Sequence, residues 1–281
     1  MRKMSWLACV LLVVALLASV AVIGCGNGDS EEETASGETT SDTGTLEFTA
    51  NGEDFAREGF TSKDGWDLSF DHFYITLDDI AAYQTEPPYD TEEGWEIESV
   101  EEVGLAGAYT PDLTDPQADP EIVGEVDGAP AGEYNSISWN VVEAESGEAE
   151  GYSIYLAGTA EKDGQTIDFT IKLTNELAYL GGEYVGDERK GILEAGDTAE
   201  VEMTFHLDHL FGDAETEADD ALNVDALGFD PFVALATDGV VDVDTETLEG
   251  AWSAEDVEKL DEILLGLGHV GEGHCLCETL D

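Results

Sequence analysis

Two runs of alternating apolar residues, Tyr152 to Ala160 and Thr166 to Thr174, flank Glu161-Lys162-Asp163-Gly164-Gln165. Alternation at period two places successive side chains on opposite faces of a sheet, and Asp-Gly tolerates the positive φ values of a tight hairpin turn. This segment therefore predicts a β-hairpin, and the rest of the chain repeats its grammar. Leu46 to Thr49, Trp66 to Tyr83, Trp95 to Ile97, Tyr134 to Val142, Ala199 to Leu207 and Val240 to Val243 read as further strands. Within Trp66 to Tyr83, alternation puts Phe70, His72, Tyr74 and Thr76 on one face and Phe73, Ile75 and Leu77 on the other. Residues 110–132 carry four prolines among Asp and Gly and read as a long irregular connection. Asp230-Pro231 opens a short helix. Ser253, with Glu255 and Asp256 behind it, caps a helix that Gly266 and Gly268 end. Many short strands and few helices predict a mainly β chain: an antiparallel β-sandwich, or a barrel-like sandwich, with a short C-terminal helix.

The first 24 residues have the zones of a secretory signal. Arg2 and Lys3 precede an apolar run from Trp6 to Ile23, and Val22-Ile23-Gly24-Cys25 closes it. That ending resembles the lipobox of bacterial lipoproteins, which implies cleavage before Cys25 and lipid on its sulfur. A transmembrane anchor is the competing reading of an 18-residue apolar run. Residues 26–44 contain no large apolar side chain, so they read as a disordered acidic tether. The expected layout is 1–24 signal, 25–44 lipidated cysteine and tether, 45–250 β-sandwich, and 251–281 helix with a His/Cys tail. The mature protein is expected in the cell envelope, on the extracytoplasmic side of a membrane, with membrane lipid as its partner through Cys25.

Charge limits the partners. Arg2 and Lys3 leave with the signal, so 66 acidic residues face seven cationic ones, a formal charge of about −59. A nucleic-acid partner is excluded on this ground, because phosphate contacts need Lys and Arg. Self-repulsion of this size destabilises a compact state at low salt, and roughly molar salt screens it over about 3 Å. The composition predicts a salt-adapted protein.

Three segments resemble the domain of methanobactin-associated, copper-binding periplasmic lipoproteins. They are HFYITLDDIAAY (72–83), AGEYNSISWNVV (131–142) and GYSIYLAGTAEKDGQTIDFTIKL (151–173). The resemblance covers layout and order over residues 66–211 and implies a β-sandwich with a metal role. The histidine such relatives carry in the hairpin's return strand is absent between Asp168 and Lys172, so no ligand is transferred.

The residues themselves also suggest a metal. Four of the five histidines fall in two groups. His206-Leu207-Asp208-His209 ends a strand, and imidazole with carboxylate is a common transition-metal shell. His72 is the candidate third ligand if its strand lies nearby. The tail offers His269, His274, Cys275 and Cys277, a set suited to zinc or copper(I). Cys275 and Cys277 have two rival readings, a small disulfide and a frayed terminus. TFHLDH lacks the first histidine of the HxHxDH hydrolase signature. Calcium is a weaker reading of Asp242-x-Asp244-x-Glu246 and Asp219-Asp220…Asn223-x-Asp225, since such patterns recur by chance in so acidic a chain. No GxSxG, HExxH or phosphate loop is present, so no enzyme is expected. The expected function is non-enzymatic binding of copper or zinc. The alternative is a carbohydrate- or protein-binding module with an aromatic platform drawn from Trp66, Trp95, Trp139 and Trp252.

Overall fold

The structure, a computed structural model, describes residues 42–186 and 189–280. The signal, Cys25 and most of the tether lie outside the described residues. Strand makes up 45% of the described residues and helix 17%, which makes the fold mainly β. The expected hairpin is present as strands Ile154–Lys162 and Gln165–Leu173. Asp163 and Gly164 both hold positive φ, 53° and 81°, the pair of values that lets two right-twisted strands turn back in two residues.

Three five-stranded sheets share one core. The first runs Gly273–His274, Gly268–Val270, Thr198–Phe205, Thr43–Asn51, Glu121–Pro130. The second runs Val240–Asp244, Gln165–Leu173, Ile154–Lys162, Asp67–Ile75, Phe60–Thr61. The third runs Leu276–Thr279, Leu177–Gly181, Ser136–Val141, Leu77–Thr85, Ser99–Gly104. The second and third sheets are joined where the run from Asp67 to Thr85 changes sheet at Thr76. Trp139 of the third sheet meets Phe205 of the first edge to face, with centroids 6.1 Å apart. At the other end Phe70, Phe169, Phe211 and Phe229 pack ring on ring. The result is sandwich-like, and among the described residues no barrel closes.

Several expectations are corrected. Pairing is mainly antiparallel, but Thr43–Asn51 lies parallel to Thr198–Phe205, and Gln165–Leu173 parallel to Val240–Asp244. Long connections that include helices make parallel neighbours possible. A bulge between Phe70 and His72 breaks the alternation. Phe70 joins the aromatic cluster while His72 stacks on Tyr74. Residues 121–130, expected as loop, form a strand with Pro130 at its end, where a missing N–H costs no ladder bond. Trp95 to Ile97 is not a strand. The C-terminal segment, expected beyond the sandwich, supplies strands to the first and third sheets. The helix Ala254–Leu265 stands between these strands and the sandwich body in sequence, capped by Ser253, whose side chain accepts from the Asp256 N–H.

Candidate metal centre

Strand pairing brings the two histidine groups together. His269 lies directly opposite Thr204, and His274 opposite His269. Side chains opposite one another or two residues apart share a sheet face, so His206, His269 and His274 come to one side. His209 joins them because the strand gives way to the short helix Asp208–Phe211. Ring centroids are 4.5 Å apart for His206 and His269, 4.9 Å for His209 and His269, 5.4 Å for His206 and His209, and 4.8 Å for His269 and His274. His206 and His269 are buried, and His274 is exposed.

A carbonyl oxygen only accepts, so its contacts assign the tautomers. Gly266 O lies 3.0 Å from both His209 Nδ1 and His269 Nε2, so each of those nitrogens carries the proton and donates it. In a neutral ring the other nitrogen, Nε2 of His209 and Nδ1 of His269, is then the bare lone pair. Burial, and next the neighbouring His206 and His209, hold the His269 pKa down at about 3, so the ring is neutral. Its Nδ1 is buried and has no hydrogen-bond partner. Burial likewise lowers the His209 pKa.

His206 differs. Burial opposes its charge, but the Glu53 carboxylate, 3.3 Å from Nδ1, and Gly271 O, 3.2 Å from Nε2, outweigh that and raise its pKa. Glu53 opens the helix Glu53–Glu58 at φ 57°, a value rare for a residue with a side chain, with its N–H donated to Asn51 Oδ1. The bond with His206 pulls the Glu53 pKa down. Asp208 has a buried Oδ1 without a partner, and burial raises its pKa despite His209 and His206. One cleft of about 710 Å³ opens onto His209 and His274 and is lined by four carboxylates, Asp225, Glu255, Glu258 and Glu262, against one cation, Lys259.

Among the described residues no three His, Cys, Asp or Glu groups have their donor atoms already gathered around one point. The rings are adjacent, but three of their nitrogens are turned onto backbone carbonyls. The bare nitrogens, Nε2 of His209 and Nδ1 of His269, are not yet gathered with a third donor, so ligation requires side-chain movement.

The other sequence candidates separate from this cluster. His72 does not join it; its Nδ1 pairs with Asp112 at 2.7 Å and its ring stacks on Tyr74. Cys275 and Cys277 are free thiols on the stretch where the chain leaves the first sheet for the third. Cys277 lies across from Tyr179, and Cys275 Sγ packs beside Gly181. Burial pushes the Cys277 thiol up to about 12 and the Cys275 thiol higher still, so neither offers a thiolate near neutrality. The proposed calcium clusters serve as caps and pairs. Asp244 and Asp220 cap the helices Thr245–Ala251 and Ala221–Asp225, and Asp242 pairs with Lys172. Of the tryptophans, Trp66 and Trp139 are buried, Trp252 is half-buried, and Trp95 is exposed. Glu53 carried no sequence signal, being one carboxylate among 66 acidic residues and 153 positions from His206.

No family model, curated protein or solved structure matches the chain.

Proposed function

We propose that this chain is a lipid-anchored extracytoplasmic protein whose histidine cluster binds a divalent transition metal, zinc or copper(II), without catalysis. The observation that carries the reading is His269 Nδ1: a neutral imidazole lone pair, buried without a partner, among three other histidines. A buried polar atom left unpaired costs about 1–3 kcal/mol, and a cation bound at His269 Nδ1 would relieve that cost. His206, His209 and His274 are the further ligands, with Glu53 orienting His206 as a carboxylate commonly orients a metal-bound imidazole. With the thiols facing elsewhere, the donors are nitrogen and oxygen, which favours zinc or copper(II) over copper(I). The acidic cleft supports cation access. The Gly24-Cys25 ending supports the lipid anchor.

Isothermal titration of untagged mature protein with zinc and copper(II) tests the reading. One tight equivalent is expected, lost in the His209→Ala, His269→Ala double variant, and weakened roughly 10- to 100-fold by Glu53→Gln. His72→Ala should bind as the unmodified chain does. Equal binding by the double variant would refute the assignment.

A further inference from the structure

The outer face of the third sheet carries a second groove, of about 600 Å³, remote in sequence from the histidines. Its floor is made by Ala178 and Leu180, which alternate with the core-facing Leu177 and Tyr179 and yet are buried, and by Ala81. Trp95, set between the short helical turn Thr91–Glu93 and the strand Ser99–Gly104, also lines the groove and is 37% exposed. An exposed indole costs solvation that a ligand with an apolar face would recover.

Between Ala178 and Leu180 on one side and Ala81 on the other, the floor is polar. Tyr83 Oη and Ser138 Oγ share a hydrogen bond of 2.9 Å, and Asn140 Nδ2 donates to Asp79 Oδ2 at 3.3 Å. Asp79 holds φ at 48° beside a break in the pairing between Asp78 and Ala81, and such strained residues cluster at functional sites. Among the described residues, Asp79 and Glu102 are the only charged groups lining the groove. With no cation there, in a chain of this net charge, an anionic ligand is excluded. What remains is a neutral molecule with one apolar face and hydroxyls on its edge.

We propose that this groove binds a neutral saccharide, with a sugar ring stacked on Trp95 and its hydroxyls bonded by Asn140, Asp79 and Tyr83. A groove lined by apolar groups with a few placed polar ones is the usual form of a small-molecule site. Here a hydroxyl-rich ligand matches donors and acceptors that are neutral or singly acidic. The proposal stands on a different surface from the metal centre, so each can fail alone.

Saturation-transfer NMR and isothermal titration with cellotetraose, maltotetraose, mannotetraose and chitotetraose decide it. At least one is expected to bind, with transfer strongest at the ring protons of one sugar face. Trp95→Ala and Asn140→Ala, both at non-core side chains, should each weaken binding about tenfold, the scale of one lost aromatic or charge-neutral polar contact. The His209→Ala, His269→Ala variant should bind sugar unchanged. Circular dichroism of each variant shows whether it folds, and Trp95→Phe should retain part of the affinity. The proposal is overturned if none of the four sugars binds, or if binding survives Trp95→Ala undiminished.

Discussion

His72 takes its role from a loop that arrives from 40 residues away. The Asp112 carboxylate is fixed by the N–H groups of Phe73 and Thr114 and by the Thr114 hydroxyl, and it holds His72 Nδ1 at 2.7 Å. That hydrogen bond raises the His72 pKa above its ordinary 6.5. A raised folded-state pKa means the pair stabilises the fold fully below 6.5 and loses that contribution as pH climbs through the folded value. Since the pair is partly exposed, the effect is small. Urea midpoints should therefore fall from pH 6 to pH 8.5 by more in the unmodified chain than in His72→Ala, and parallel curves would refute the linkage. In the sequence, His72 is a third candidate ligand beside His206, and each sits in a strand-like run. Only the neighbours differ, Asp112 and Tyr74 for one, two histidines and Glu53 for the other.

The C-terminal hairpin, Gly268–Val270 with Gly273–His274, is the element on which the metal centre depends. Gly271 in its turn has φ 60°, and a Cβ there would stand 2.1 Å from Val185 O. Gly271→Ala should cost more than about 1 kcal/mol and weaken metal binding, because it disturbs the turn that carries His269 and His274. Two of the four ring ligands belong to this hairpin and two to the end of Thr198–Phe205, so a bound metal would staple them. Amide exchange across residues 268–279 should slow on adding zinc, with little change in Ile154–Lys162; unchanged exchange in the tail would contradict the staple. The sequence marked this tail by its residue types but not its place. Glycines and a Cys-x-Cys at a chain end look like fraying until Thr204 and Phe205 are seen to offer them a strand edge.

At the scale of the molecule, charge governs stability. Each of the seven Lys and Arg side chains among the described residues is engaged. Arg57, Lys162, Lys172, Arg189 and Lys190 contact carboxylates. Lys63 and Lys259 donate to backbone carbonyls. The great majority of the acidic residues are left without a cation, and their repulsion works against the folded state at low ionic strength. Raising KCl from near zero to 2 M should increase the melting temperature; a fall or no change would contradict salt adaptation.

The amino-acid order by itself determined the local grammar. Asp163-Gly164 dictates its hairpin, Ser253 opens the last helix, and period-two alternation yields a mainly β chain, because turns, caps and faces depend on residues within a few positions. The order also determined the charge, which needs no contacts to be read. Tertiary structure alone decided which histidines meet, that Cys277 faces Tyr179, and that Trp95 is exposed. Strand partners are chosen by packing across the whole chain, and a residue's side of a sheet flips with one bulge, as at Phe70 and His72. Long-range pairing of that kind leaves no periodic trace in the segments it joins.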